Sequence, residues 1–324
     1  MADKFLGVDV SKDRFHVALF CGGKYRQKSF DNNPLGFARL RRWLKAQHAS
    51  EAHICMEATG NYGLDLATFL YENGLLVSVA NPARIAAFIK SELGRTKTDK
   101  ADARAIARFC RASNPPPWLP PSPQRALLRD LSRRLDDLKD AQAQEKNRLK
   151  DPGLSPSVRR SIQRHLDFLK EEIQAVEKEL KDLIRHDQEL KKQNELLQSI
   201  PSIGPATAHV LMSEYGDFSQ FENARQVAAY AGLVPAARKS GSSVGGRTPL
   251  SKTGNARIRK ALYWPAITAI RCNPIIQDFA RRMRQNGKKE MEIIGGAMRH
   301  LLHLAFGVIK TQLPFDPTYR PTRG

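Results

Sequence analysis

At 324 residues the chain has the length of about two domains, and 41% hydrophobic residues exclude global disorder. Its 53 Lys and Arg against 33 Asp and Glu give a net charge of +20 and a pI near 10, which points to a polyanionic partner. Cys21, Cys55, Cys110 and Cys272 stand far apart with no CxxC spacing, which excludes a zinc ribbon or a disulfide scaffold.

Residues 1–113 read as an α/β domain. Short apolar runs at 5–10, 53–57 and 75–79 and an alternating run at 15–20 predict strands, with 25–30 as a further candidate. Helical spacing predicts helices over 33–47 and 62–73, the second stopped by Gly74. Asn81 and Pro82 end the last strand, and a further helix begins near Asp99. Strands alternating with helices argue a sheet covered by helices. Residues 114–123 (NPPPWLPPSP) hold six prolines in ten and predict a stiff, extended linker.

Residues 124–195 are charged and Leu-rich. Leu128, Leu131, Leu135 and Leu138 precede a break at Asp151-Pro-Gly. Ile162, Leu166, Leu169, Ile173, Val176, Leu180 and Leu183 then repeat at spacings of four and three, with Asp187 as an interruption. This heptad predicts a coiled coil and self-association along its seam. Residues 196–324 read as a basic, mostly helical domain: residues 223–277 contain nine basic residues and no Asp or Glu. No apolar run reaches the ~18 residues of a membrane span. The nearest, 293–309, contains Arg299, His300 and His303. The N-terminus lacks the apolar stretch of a signal peptide, so an intracellular protein with no membrane partner is expected.

Four acids carry the first candidate site. Asp9 ends one predicted strand (GVDVSK) and Glu57 another (CMEATG), while Asp99 and Asp102 open a helix in TKTDKADAR, one turn apart on one face. Carboxylates at two strand ends and a helix start can meet at one sheet edge, where they would repel unless cations sat among them. Oxygen ligands without His or Cys suit Mg²⁺ or Mn²⁺. Two such ions can clamp a phosphodiester during displacement. The same acids also read as ordinary turn and capping residues. A sugar-kinase-like phosphate site shares the Gly-x-Asp start, but the chain lacks that fold's further Gly-rich loops.

The second candidate lies in the basic domain. Residues 197–208 (LQSIPSIGPATA) resemble half of a helix-hairpin-helix, whose helix N-terminus can hold a phosphate; an ordinary helix junction reads the same way. Residues 238–247 (RKSGSSVGGR) form a Gly/Ser stretch between cations, either a surface linker or a serine nucleophile on a phosphate-binding loop. Arg238, Lys239 and Arg247 would offset charge on a scissile phosphate. Composition does not choose among Ser240, Ser242 and Ser243. Lys252, Arg257, Arg259 and Lys260 follow at a turn and helix start and are expected to contact phosphates.

These motifs, in this order and over nearly the whole chain, resemble the DEDD-type transposases of bacterial insertion sequences (insertion-sequence family one-hundred-and-ten). The resemblance implies a RuvC-like, ribonuclease-H fold for the first domain, with Asp9, Glu57, Asp99 and Asp102 as its metal-binding tetrad. It implies that Ser240 is the nucleophile, forming a covalent phosphoserine link to DNA, with serine and acid sites from different subunits combining. It further implies a structured guide RNA that pairs with target and donor DNA, a dimer of dimers, and a place in the bacterial cytoplasm at the nucleoid. Two readings stand beside it: a metal-dependent, structure-specific nuclease of the junction-resolvase type, and a non-catalytic nucleic-acid-binding scaffold.

Overall fold

Five strands form one mixed sheet. β1 (Phe5–Val10), β2 (Arg14–Cys21) and β3 (Lys24–Asp31) follow one another as an antiparallel meander. β4 (His53–Glu57) and β5 (Val77–Ala80) run parallel to β1, giving the spatial order β3-β2-β1-β4-β5. This computed structural model describes residues 4–58, 62–91, 99–235, 250–251 and 253–318, in two units, Met1–Pro120 and Pro121–Gly324.

The alternation of the strands decides which helices cover which face. Leu6, Val8 and Val10 share a core with Ile54 and Met56, roofed by Phe37, Leu40 and Leu44 of α1 (Pro34–Ala46) and Leu66 and Leu70 of α2 (Leu64–Glu72). On the other face Cys55 packs with Ile85 of α3 (Pro82–Ser91) and with Ile106, Phe109 and Cys110 of α4 (Asp99–Ser113). The α/β class expected from the sequence is the class observed, with α3 an addition. Pro82, read as a strand stop, begins that helix, where a missing N–H costs nothing.

The proline-rich segment covers the sheet's β5 edge. The Trp118 amide donates to the Val77 carbonyl (2.7 Å), and the Ser78 hydroxyl donates to the Pro116 carbonyl (2.8 Å) while meeting His53 Nε2 (2.8 Å). A segment poor in N–H groups shields the edge without extending the sheet.

The second unit is helical. α5 (Pro123–Arg148) and α6 (Pro156–His186) fold back on each other, each opened by a Ser cap and a Pro. Leu135 and Leu138 meet Leu169 and Ile173 along the hairpin. Nearer its base, Leu128, Leu131, Leu180 and Ile184 enter one large core with six more helices. These are α7 (Gln188–Gln198), α8 (Pro205–Tyr215), α9 (Ala224–Tyr230), α10 (Ala256–Cys272), α11 (Pro274–Gln285) and α12 (Glu290–Thr311). Asp187, the interruption in the heptad, ends α6 and caps α7 by accepting from the Leu190 amide (2.9 Å). By length and composition α12 alone among the described helices could cross a membrane, but more than half of its apolar window is buried in this core.

Candidate functional site

Strand register places the first two acids. Residues 5–8 of β1 pair with 53–56 of β4, so the next residues, Asp9 and Glu57, stand side by side at the same end of parallel neighbours. Both lie on the face that carries Gly7 and Cys55, which is the α4 face.

α4 brings the third. A Cβ at Gly7 would run into the Ala103 carbonyl oxygen and the Ala107 amide, so glycine is what lets the helix backbone lie on β1. Further along, the Cys110 thiol reaches the His53 carbonyl (3.6 Å) and the Arg111 guanidinium lies 4.7 Å from the Phe20 ring centroid. His53 and Phe20 are both partners of Phe5, at the opposite end of β1 from Asp9. The helix therefore runs antiparallel to β1, and its first turn, opened by Asp99 and containing Asp102, comes to the Asp9–Glu57 end. Beyond its place as the first residue of α4, Asp99 lies outside the described side chains.

The donor set at this edge is oxygen only, the chemistry that suits Mg²⁺ or Mn²⁺. Among the described residues, no three His, Cys, Asp or Glu side chains close into a metal-holding group. Two features of this edge escaped the sequence reading. His16 is the cross-strand partner of Asp9 and shares its face. Asn32 Nδ2 donates to the Ser11 carbonyl (3.0 Å) and the Tyr62 carbonyl (3.0 Å), tying the turn after Asp9 to the segment after Glu57. Only the register of an antiparallel pair reveals the first, and only tertiary packing the second.

In the helical unit the described cations of the predicted phosphate-binding set, Arg257, Arg259 and Lys260, are already engaged. Glu214, with 3% of its side chain exposed, takes a two-pronged contact from Arg133 (3.1 and 3.3 Å) and a hydrogen bond from Asn255 Nδ2 (2.7 Å). Arg257 Nε lies 3.0 Å from the same carboxylate, a charge contact without hydrogen-bond alignment. Burial alone would raise the Glu214 carboxyl, but the hydrogen bonds from Arg133 and Asn255 and the charges of Arg133 and Arg257 hold it below the ordinary range. Asn255 in turn caps α10, accepting from the amides of Arg257 (2.9 Å) and Ile258 (3.2 Å). Gly254, at φ +143°, sits against the Tyr230 carbonyl and the Gly232 amide, where a Cβ has no room.

Arg257 also bonds Asp136 (2.6 Å), Lys260 bonds Asp140 (2.7 Å), and Arg259 donates to the carbonyls of Ala231 (2.9 Å) and Gly254 (3.0 Å). The stretch without acids in sequence thus receives its acids from α5 and α8. Arg238, Lys239, Ser240, Arg247 and Lys252 lie outside the described residues. The positions that flank the serine stretch are pinned together: Pro235 and Leu250 form an antiparallel bridge, and the Ser251 amide donates to the Val234 carbonyl (2.9 Å).

Acids gathered at one end of an α/β sheet, joined in one chain to a basic helical unit, are the make-up of an enzyme that works on nucleic acid. The chain belongs to the IS110-type transposases: a family described as "Transposase IS116/IS110/IS902 family" matches residues 194–281, and one described as "Transposase", of the DEDD IS110 type, matches residues 6–151. It is 34% identical over 319 residues to the pilin gene-inverting protein of Moraxella bovis, covering 98% of both chains, and equally so to that of Moraxella lacunata. The transposase for insertion sequence element IS1111A of Coxiella burnetii is 26% identical over 309 residues, 83% of this chain and 78% of that one. A solved structure, T. thermophilus RuvC in complex with Holliday junction substrate, overlaps 36% of this chain and 99% of its own at TM-score 0.28 and 13% identity. The activity of the chain is that of a DNA transposase or recombinase.

Proposed function

We propose that the chain moves an insertion sequence by cutting and rejoining DNA through a phosphoserine intermediate on Ser240, with Asp9, Glu57, Asp99 and Asp102 as a Mg²⁺- or Mn²⁺-binding edge. The observation that carries the reading is the meeting of β1, β4 and the start of α4 at one end of a sheet ordered β3-β2-β1-β4-β5 with β2 antiparallel to the rest. That order supports a RuvC-like, ribonuclease-H type domain. A divalent ion at the edge would draw charge from phosphate oxygens. The serine hydroxyl displaces a deoxyribose oxygen from phosphorus, its proton leaving and the freed sugar oxygen becoming a hydroxyl. The reverse step with another strand's hydroxyl releases the serine, so no phosphodiester is lost and no energy source is needed. Arg238, Lys239, Arg247 and Lys252 hold the phosphate, joined by Arg257 and Lys260 once their carboxylates yield and by Arg259 once it releases its backbone carbonyls. The names of the relatives span gene inversion and transposition, and this chemistry serves both.

A structured guide RNA would choose the target and donor DNA, leaving the protein mainly backbone contacts. Subunits would pair through α6, whose Phe168 is 54% exposed on the face away from the seam buried against α5, and assemble as a dimer of dimers in the cytoplasm, at the nucleoid. The domain scheme of the sequence reading, with the hairpin as a separate coiled-coil segment between the two catalytic parts, belongs to this proposal.

The test is trapping. Protein with co-purified RNA, Mg²⁺ and a labelled recombination site is denatured and examined for a covalent protein–DNA adduct. Parent protein is expected to give the adduct and Ser240→Ala none; Asp9→Asn should lower recombination about 10²–10³-fold, as loss of one charge-stabilising group does. Free cut ends without adduct, made equally by Ser240→Ala, would sink the serine and leave a metal-dependent, structure-specific nuclease. That reading has support in an acid edge that assembles without the serine stretch. Recombination unaffected by either substitution would leave a nucleic-acid-binding scaffold.

A further inference from the structure

The helical unit contains a cleft of about 730 Å³ whose apolar floor and aromatic rim the proposed chemistry does not use, although three of its cations are shared with that chemistry. Its floor is apolar, formed by Leu135, Val210, Leu233 and Leu250 among others. Lys139, Arg257, Arg259 and Lys260 line it against one carboxylate, Asp136. At its rim stands Trp264, 72% exposed, whose ring contact among the described residues is an edge-on one with Tyr263 (5.6 Å, 79°).

In the wall is His209. It is 9% exposed and lines the cleft. Burial first, then the charges of Lys181 and Lys139, push its pKa down to about 4, so it is neutral at pH 7. A neutral imidazole offers one N–H and one bare nitrogen, either of which can meet a single group on the edge of a base. An indole left in water above an apolar cleft is a surface awaiting an occupant. Four cations around the cleft fit an apolar peptide poorly and a polyanion well. Lys260–Asp140 and Lys139–Glu177 are solvent-exposed pairs, which give way readily to phosphate.

We infer that this cleft takes one unpaired base of a DNA strand, stacked on Trp264, with flanking phosphates held by Lys260 and Lys139. Pockets of about 300–1,000 Å³ accept a ligand of nucleotide size. Aromatic platforms with a cationic track are how single strands are held without reading their sequence. An enzyme that cuts and rejoins duplexes creates such bases whenever strands separate. The inference rests on DNA being the substrate and not on Ser240 or the acid edge.

The experiment uses the full chain freed of nucleic acid, a single-stranded DNA oligonucleotide with a central 2-aminopurine, the matching duplex, and single-stranded RNA of the same sequence. Trp264→Ala is expected to weaken single-strand binding about tenfold, as loss of one stacked base does. Duplex affinity should stay the same. The parent should quench 2-aminopurine fluorescence, Trp264→Phe should retain most of the binding, and Trp264→Ala should lose the quench. Because Trp264 is 72% exposed, the alanine variant should melt with the parent. An equal loss on duplex and single strand, no loss on either, or tighter binding of the RNA overturns the inference. Failure of the parent to bind any DNA would overturn the wider reading with it.

Discussion

The two units place their charges by different means. In the sheet unit, the position of Asp9 beside Glu57 follows from two short parallel strands whose residues 5–8 and 53–56 are in register. In the helical unit, Arg257 and Lys260 meet Asp136 and Asp140, partners 121 and 120 residues earlier in the chain. A sequence window therefore reports the acids faithfully where strand register makes the site, and misreports a basic face where another helix supplies the counter-charges. Residues 223–277 hold no acid of their own, yet the start of α10 faces three: Asp136, Asp140 and Glu214.

The strongest way to break the helical half of that contrast is Glu214→Gln. It removes a buried charge from between Arg133 and Arg257 and weakens the hold on the α10 cap residue Asn255. We expect a loss of about 3 kcal/mol, the low end for breaking a buried pair, because both arginines keep some solvent. Denaturant unfolding of the full chain measures it. The pH dependence sharpens the test. The folded Glu214 carboxyl lies below the ordinary value of 4.5, so its contribution is present above about pH 4.5 and is lost as the pH falls through the lower folded value. Glu214→Gln should flatten that acid limb. An unchanged limb would mean that the carboxylate is not held as the structure has it.

The sheet half is tested by Gly7→Ala. The added methyl meets backbone atoms of α4, which cannot rotate away. A cost of about 1–3 kcal/mol is expected, as for overpacking. The helix should lift, carrying Asp102 from the Asp9–Glu57 end. Recombination should then fall by more than the stability loss explains at a temperature where the variant is fully folded. Equal activity per folded molecule would show that α4 is not what completes the edge.

The sequence showed much of the sheet unit because its strands are short, bounded by turn residues and, β3 apart, largely apolar. The runs 5–10 and 53–57 are the observed β1 and β4, and the acids stand at their ends. α3 was hidden because proline stops a strand and starts a helix equally well, and only packing of Ile85 against α4 decides between them. The proline-rich segment read as a spacer because nothing in its composition names the β5 edge that it covers. The apolar stripes of α5 and α6 were legible in the leucine spacing, and the fold pairs them with each other. Their fusion with the C-terminal core was not, since Leu128 and Leu180 look like any other heptad position.

The smallest effect sharpens the comparison most. Lys260 and Asp140 form an exposed pair, 65% and 59% exposed at the side chain. Such a pair contributes about 0–1 kcal/mol, so Lys260→Ala should leave the melting temperature almost unmoved. If the lysine trades its carboxylate for a DNA phosphate on binding, the same change should reduce the salt slope of duplex affinity by about one phosphate contact, uniformly across sequences. Asp140→Asn should do the opposite, raising affinity at low salt by freeing the lysine in advance. An unchanged salt slope in Lys260→Ala would make the pair structural and return the cationic face of α10 to the acids of α5. A fall in Lys260→Ala with a rise in Asp140→Asn would show that those acids act as a counter-charge that DNA displaces. A helix that reads as bare and basic in sequence would then become so only in the presence of its substrate.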